Sequence, residues 1–237
     1  MSGRRILFVA GILGLMVALA YPGRLTAAEK GIFKGIDRFY GDTDGKQMFM
    51  EGSNLEYFQG KTHLRFGEAE IREKATGARE IIFQGAVFLT HEELTVSGDW
   101  FTYNTQDESG IFTGAVVLER AETRNDQGEV EKEPLKLVCG NLYLQTAEKA
   151  FVATEDPEIH HGDFDGSGQT ISYRDDEEKL TISGGFRLLT DEDELVGAEI
   201  CFDLRQKTFD AWRGETPLEM FFEFGEKAQA TEENPEQ

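Results

Sequence analysis

Val96-Ser97-Gly98-Asp99-Trp100-Phe101-Thr102-Tyr103 and, after a polar turn, Gly110-Ile111-Phe112-Thr113-Gly114-Ala115-Val116-Val117-Leu118 decide how this chain folds. They read as two strands, each with a glycine inside it, joined by Asn104-Thr105-Gln106-Asp107-Glu108-Ser109. Past Gly98, Phe101 and Tyr103 alternate with polar neighbours; past Gly114, Val116 and Leu118 keep the same period of two. That period marks a strand with one buried face. A glycine within such a pattern signals a bulge or a close backbone approach, and so a bent strand.

The unit recurs. Gly52-Ser53-Asn54-Leu55-Glu56-Tyr57, Gly168-Gln169-Thr170-Ile171-Ser172-Tyr173 and Gly197-Ala198-Glu199-Ile200-Cys201-Phe202 repeat the first half, and Cys139-Gly140-Asn141-Leu142-Tyr143-Leu144 does so with Cys139 in the glycine's place. The second half returns at Phe66-Gly67-Glu68-Ala69-Glu70-Ile71, Gln84-Gly85-Ala86-Val87-Phe88-Leu89 and Ser183-Gly184-Gly185-Phe186-Arg187-Leu188. Spacings are uneven because segments such as Ala121 to Pro134, a hydrophilic stretch expected to be a mobile loop, are inserted. Strands that cannot bury an apolar face alone must stack. The expected fold is all-β: two antiparallel sheets of repeated strand pairs forming an elongated jelly roll around an apolar interior. An ordinary globular β-sandwich with coincidental repeats is the alternative.

Strands are expected at Gln47 to Tyr57, His63 to Ile71, Glu80 to Leu89, Glu93 to Tyr103, Ile111 to Leu118, Leu135 to Leu144, Ala150 to Thr154, Ile171 to Tyr173, Leu180 to Leu189, Leu195 to Leu204 and Thr208 to Trp212. Ile32-Phe33 and Ile36 begin a first strand or an edge piece, and Leu218 to Phe224 is the last apolar segment. The jelly roll is thus placed over residues 32–224, followed by a disordered acidic tail at 225–237. Residues 1–28 have the order of an export signal: Arg4-Arg5, an apolar run from Ile6 to Ala20, then Tyr21-Pro22-Gly23 and small residues at Thr26-Ala27-Ala28. Cleavage after Ala28, or retention as an inner-membrane tether through residues 6–21, both place the chain beyond the inner membrane.

The formal charge is −21, from 24 basic and 45 acidic residues; residues 1–28 hold three arginines and no acid, so without them the charge is −24. Such a field disfavours nucleic acid and anionic membrane surfaces. Most acids fall at turns, where they also discourage edge-to-edge aggregation. Cys139 and Cys201 are read as unpaired unless a register shift brings them together: in neighbouring strands held in register they would lie about 13 Å apart, beyond the roughly 7 Å that a disulfide tolerates.

No catalytic or metal centre emerges, and no cofactor is expected. His160-His161-Gly162-Asp163-Phe164-Asp165 is the best metal candidate, but adjacent strand residues point to opposite faces, and the segment between Pro157 and Gly166 reads as a polar turn. Glu68 and Glu70 have strand spacing suited to a carboxylate pair, but they alternate with the apolar Ala69 and Ile71 and are expected on the solvent face. There is no nucleophile turn, phosphate-cradling loop or CxxC. What remains is the apolar interior, with Leu55, Tyr57, Phe66, Ile71, Phe83, Leu89, Phe101, Tyr103, Leu118, Leu142, Leu144, Ile171, Tyr173, Phe186, Leu188, Ile200 and Phe202 on the inner face. A close-packed core and a lipid-accepting cleft would use the same residues.

Ser97-Gly98-Asp99-Trp100-Phe101-Thr102-Tyr103 and Thr113-Gly114-Ala115-Val116-Val117-Leu118 resemble the OstA-like repeat of LptA-type lipopolysaccharide-transport proteins, in which an Ala-Asp strand is followed by a Gly-Asn-Val strand. The similarity runs from about Gln47 to Trp212. This chain has Gly-Asp at Gly98-Asp99, Gly-Asn at Gly140-Asn141, and Gly-Ala-Val at Gly85 and Gly114. The resemblance implies a V-shaped β-jelly roll in the periplasm, holding the acyl chains of lipopolysaccharide or a related acylated glycolipid in an apolar groove. It also implies end-to-end strand pairing with other jelly-roll components or copies of this chain. It leaves two roles open, a soluble bridge and a membrane-anchored LptC-like component, and the strong acidity argues against direct phosphate contact. A ligand-free β scaffold is the competing reading. A carbohydrate-binding jelly roll would need exposed outer-face aromatics, for which Trp100 and Trp212 are the only tryptophans.

Overall fold

The computed structural model describes residues 32–222 apart from 60, 92–93, 105–106, 108, 126, 146–147, 163, 191–192 and 216. The leader at 1–28 and the tail at 225–237 lie outside the described residues. The described secondary structure is all β. β1 (Ile32–Lys34) and β2 (Arg38–Gly41) are followed by the long strands β3 (Gln47–Gln59), β4 (Thr62–Glu73), β5 (Arg79–His91), β6 (Leu94–Asn104) and β7 (Ser109–Arg120). A small hairpin of β8 (Thr123–Arg124) and β9 (Val130–Lys132) leads to β10 (Leu135–Gln145), β11 (Ala150–Thr154), β12 (Glu158–His161), β13 (Phe164–Ser167) and β14 (Thr170–Arg174). The chain ends in β15 (Lys179–Leu189), β16 (Asp193–Asp203), β17 (Thr208–Trp212) and β18 (Glu219–Phe222).

All but β8 and β9 belong to one 16-stranded sheet. Its logic is an antiparallel meander of bent strands. β3, β4, β5, β6, β7, β10, β15 and β16 each run through the bend, and the pairs β1/β2, β11/β12, β13/β14 and β17/β18 are single strands broken at it. Register shifts mark the bend in the ladders, at Glu51/Leu55, Arg65/Glu68, Gln84/Val87, Ser97/Trp100, Cys139/Asn141 and Ser183/Phe186. The two facing sheets expected from the sequence are therefore two arms of one sheet folded along a crease. Arm I holds β1, β12, β13, β18 and segments such as 62–66, 94–98 and 116–120; arm II holds β2, β11, β14, β17 and segments such as 68–73, 100–104 and 109–113.

Twelve bent strands at about 4.8 Å spacing give a length near 53 Å, while five residues per arm reach only about 17 Å from crease to lip. The jelly roll is elongated for that reason. The arms close on one continuous core that includes Ile81, Phe83, Val96, Phe112, Leu137, Ile159 and Ile182. Rings meet across it: Phe66 of arm I packs edge-on against Phe83 of arm II at 4.9 Å, and Phe164 stacks on Phe202 at 4.7 Å.

Three local expectations change. Residues 121–134 carry a hairpin rather than an unstructured loop, because the Asn125 side-chain oxygen accepts from the Gln127 and Glu129 amides at 3.0 and 2.9 Å. The stretch between Pro157 and Gly166 is two strands, β12 and β13, with its turn at Gly162. Glu70 stays on the outer face but is buried, not solvated. Gln47 Nε2 donates to it at 2.7 Å, and Arg72 covers it with two bonds of 2.5 Å from Nε and Nη2. The Arg72 pair holds its carboxyl below the usual range, outweighing the opposite effect of burial.

Candidate functional site

Alternation along each strand sends one set of side chains between the arms. Of the inner-face residues expected from the sequence, Leu55, Tyr57, Phe66, Ile71, Phe83, Phe101, Tyr103, Leu118, Leu142, Ile171, Phe186, Leu188, Ile200 and Phe202 are buried together in the core. Leu89, Leu144 and Tyr173 are half-buried against it. Sequence reasoning missed Ile81, Val87, Phe112, Leu137, Ile159 and Ile182, which are equally inward. A strict period of two, restarted after each bend, would have found them.

The interior is stacked and apolar. Phe83, Phe101 and Phe112 form a run on arm II, with centroid separations of 5.8 and 4.2 Å. Phe151 and Tyr173 continue it at 5.6 Å. Burial pushes the Tyr57 phenol well up. Burial, reinforced by Asp175, takes Tyr173 to about 12 against the pull of Arg120. Both phenols are neutral at any physiological pH. Cys139 and Cys201 are free thiols, and burial raises Cys139 to about 11.

The lips of the two arms face each other opposite the crease. Among the described residues, backbone hydrogen bonds run within an arm or at the crease, so the lips meet through side chains alone. The mouth carries the polar part of the interior. Arg120 ends the inward series Val116, Leu118, and His161 follows Ile159. Burial lowers the His161 pKa; Glu133 opposes this and Arg120 adds to it. His160 points the other way, with Nδ1 2.7 Å from Asp165 Oδ1 on the exposed face. The two histidines cannot share an ion, and no cluster of metal-ligating groups occurs among the described residues.

The ends of the meander differ from its middle. Among the described residues, β1/β2 and β17/β18 each pair on one side only. They carry most of the exposed large apolar side chains: Ile32, Ile36, Phe39 and Tyr40 at one end, and Phe209, Trp212, Leu218, Met220 and Phe221 at the other. An edge with unpaired backbone groups and exposed rings is suited to strand addition. Trp100 and Trp212 are both exposed, but seven bent strands apart, about 34 Å, so they form no shared platform. A cleft of about 680 Å³ opens outside the crease, where Glu56, Arg65, Phe88 and Ser97 point away from the core.

A family model described as "LptA/(LptD N-terminal domain) LPS transport protein" matches residues 78–208, from β5 to the start of β17. Among solved structures, the chain is similar to LptH, the LptA homologous periplasmic component of the lipopolysaccharide transport device of Pseudomonas aeruginosa. The identity is 11%, covering 82% of this chain and 96% of that one, with a TM-score of 0.24. A search of curated proteins returned no match. The family match spans more than half of the sequence and takes in eight successive bent strands, and the chain belongs to the LptA/LptD N-terminal-domain family of lipopolysaccharide-transport proteins.

Proposed function

We propose that this chain is a periplasmic carrier of lipopolysaccharide or a related acylated glycolipid, which holds acyl chains between its two arms while the headgroup stays at the mouth. One observation carries the reading: a continuous apolar interior lies between arms that, among the described residues, are joined by backbone only at the crease. The arms separate by exchanging side-chain contacts for acyl contacts, each buried CH₂ contributing about 0.8 kcal/mol. The exposed rings and one-sided pairing of the terminal strands support end-to-end addition of neighbouring jelly rolls, so that lipid passes along a continuous interior. The chain acts by binding and transfer rather than by catalysis.

The filled interior favours one competing reading, a ligand-free scaffold. Photo-crosslinking residues at Phe101, Tyr103 and Phe186, with mass spectrometry of the organic extract of protein purified from its native envelope, separates the two. Acylated glycolipid crosslinked at those positions is the expected result. Protein free of lipid and of crosslinks establishes the scaffold instead.

A further inference from the structure

The chain as a whole carries a charge of −21, but the inner row at the lip of arm I holds basic side chains. In the ladders Arg120 pairs with Leu135, and Leu135 with His161, so the three inward side chains stand side by side on β7, β10 and β12. A guanidinium and an imidazole thus flank one leucine at the edge of the apolar interior. Arg120 is only partly satisfied. Its Nη2 donates to the Glu133 carbonyl at 3.2 Å, while its buried Nε has no hydrogen-bond partner among the described residues. His161 is buried, with its ring 5.4 Å from that of Phe164 and its Nδ1 3.8 Å from Glu133 Oε2.

Glu133 closes the hairpin insertion, which sits on this same lip. The insertion therefore brings one carboxylate to a site that holds a guanidinium and an imidazole. Arm II faces it with Tyr173, whose hydroxyl donates to Asp175 at 3.1 Å. A buried donor without an acceptor is a cost that an added anion removes, and a guanidinium fork with an imidazole suits a phosphate better than a single carboxylate does. An amphiphile with its chains between the arms would deliver its first headgroup phosphate to this position.

We propose that Arg120 and His161 form an anion site at the mouth, which takes the phosphate of a bound glycolipid and at which the Glu133 carboxylate is the internal stand-in that phosphate displaces. This rests on the acyl-carriage reading and reverses the expectation, drawn from net charge, that phosphate is avoided.

The test compares binding of lipid A, of dephosphorylated lipid A and of inorganic phosphate to the full chain and to R120Q, H161Q, R120K and E133Q, with thermal melting to confirm folding. The unaltered protein is expected to prefer phosphorylated lipid by about tenfold, the worth of one charge-assisted bond. R120Q and H161Q should abolish the preference without weakening the dephosphorylated lipid, R120K should restore part of it, and E133Q should widen it. An undiminished preference in R120Q and H161Q overturns the site and leaves acyl carriage standing, as does equal binding of both lipids by the unaltered protein. Binding of inorganic phosphate through Arg120 without binding of either lipid shows a free-anion site and overturns both readings.

Discussion

β6 and β7 lie side by side and turn the same corner in different ways. In β6 the inward series passes from Val96 to Phe101, so the parity of buried positions flips, and Gly98 keeps an ordinary φ. In β7 it passes from Phe112 to Val116 with parity kept, and the corner is made by two consecutive left-handed residues, Gly114 at φ 78° and Ala115 at φ 46°. The alternation continues along the sheet. β10 and β16 bend as β6 does, while β5 and β15 use the left-handed pairs Gly85-Ala86 and Gly184-Gly185, and the β11/β12 junction uses Glu155-Asp156. Neighbouring strands run in opposite directions and need opposite local twists to share one crease. Glycine thus serves two purposes here, space in one kind of bend and backbone conformation in the other.

The largest effect should come from filling the space. A Cβ at Gly197 would lie 2.6 Å from a ring carbon of Phe186, a buried residue held in the core. Gly197→Val should cost about 3 kcal/mol by overpacking, read as a lowered urea midpoint. Gly185 has the opposite character, with φ 92° and nothing within 4 Å of the place a methyl group would take. Gly185→Ala should cost only the strain of a left-handed residue, about 1–2 kcal/mol. Equal losses at the two sites would erase the distinction between the bends.

The same distinction explains what can be read from the sequence. Gly98 and Gly114 each interrupt a clean period of two, so bent strands and most of the inner face are legible. Cys139 aligns correctly with the glycines: it pairs with Val116 as Gly98 pairs with Val87 and Gly197 with Phe186. Where the corner lacks a glycine, at Glu155-Asp156-Pro157, the bend is invisible in the sequence, and β12 and β13 read as a turn. That conceals the inward direction of His161, because parity cannot be carried across a bend that is not seen. Arg120 escapes sequence reasoning for a different reason. A charged residue at the end of an apolar series looks like a strand terminus until Leu135 and His161 are in register beside it. Glu70 shows the limit of alternation: period two gives the face, but cover from Gln47 and Arg72 comes from a neighbouring strand and from two residues along its own.

The smallest effect has the opposite sign. Ala86 and Ala115 hold φ of 53° and 46°, where an L side chain with a plain methyl gains nothing to offset its strain. Both are exposed, so a longer polar side chain meets no core atom. Asparagine visits this region more readily because its short amide can bond to the nearby backbone, and it is the residue of the Gly-Asn-Val repeat that this chain resembles. Ala86→Asn and Ala115→Asn should each raise stability by about 0.5–1 kcal/mol, moving the urea midpoint upward with an unchanged slope. Ala115→Gly should give less, since the strain it relieves is partly returned as unfolded-chain entropy. If asparagine lowers the midpoint while glycine raises it, side-chain crowding outside the crease limits these bends, and conformation does not. The two kinds of corner would then share a single steric cause.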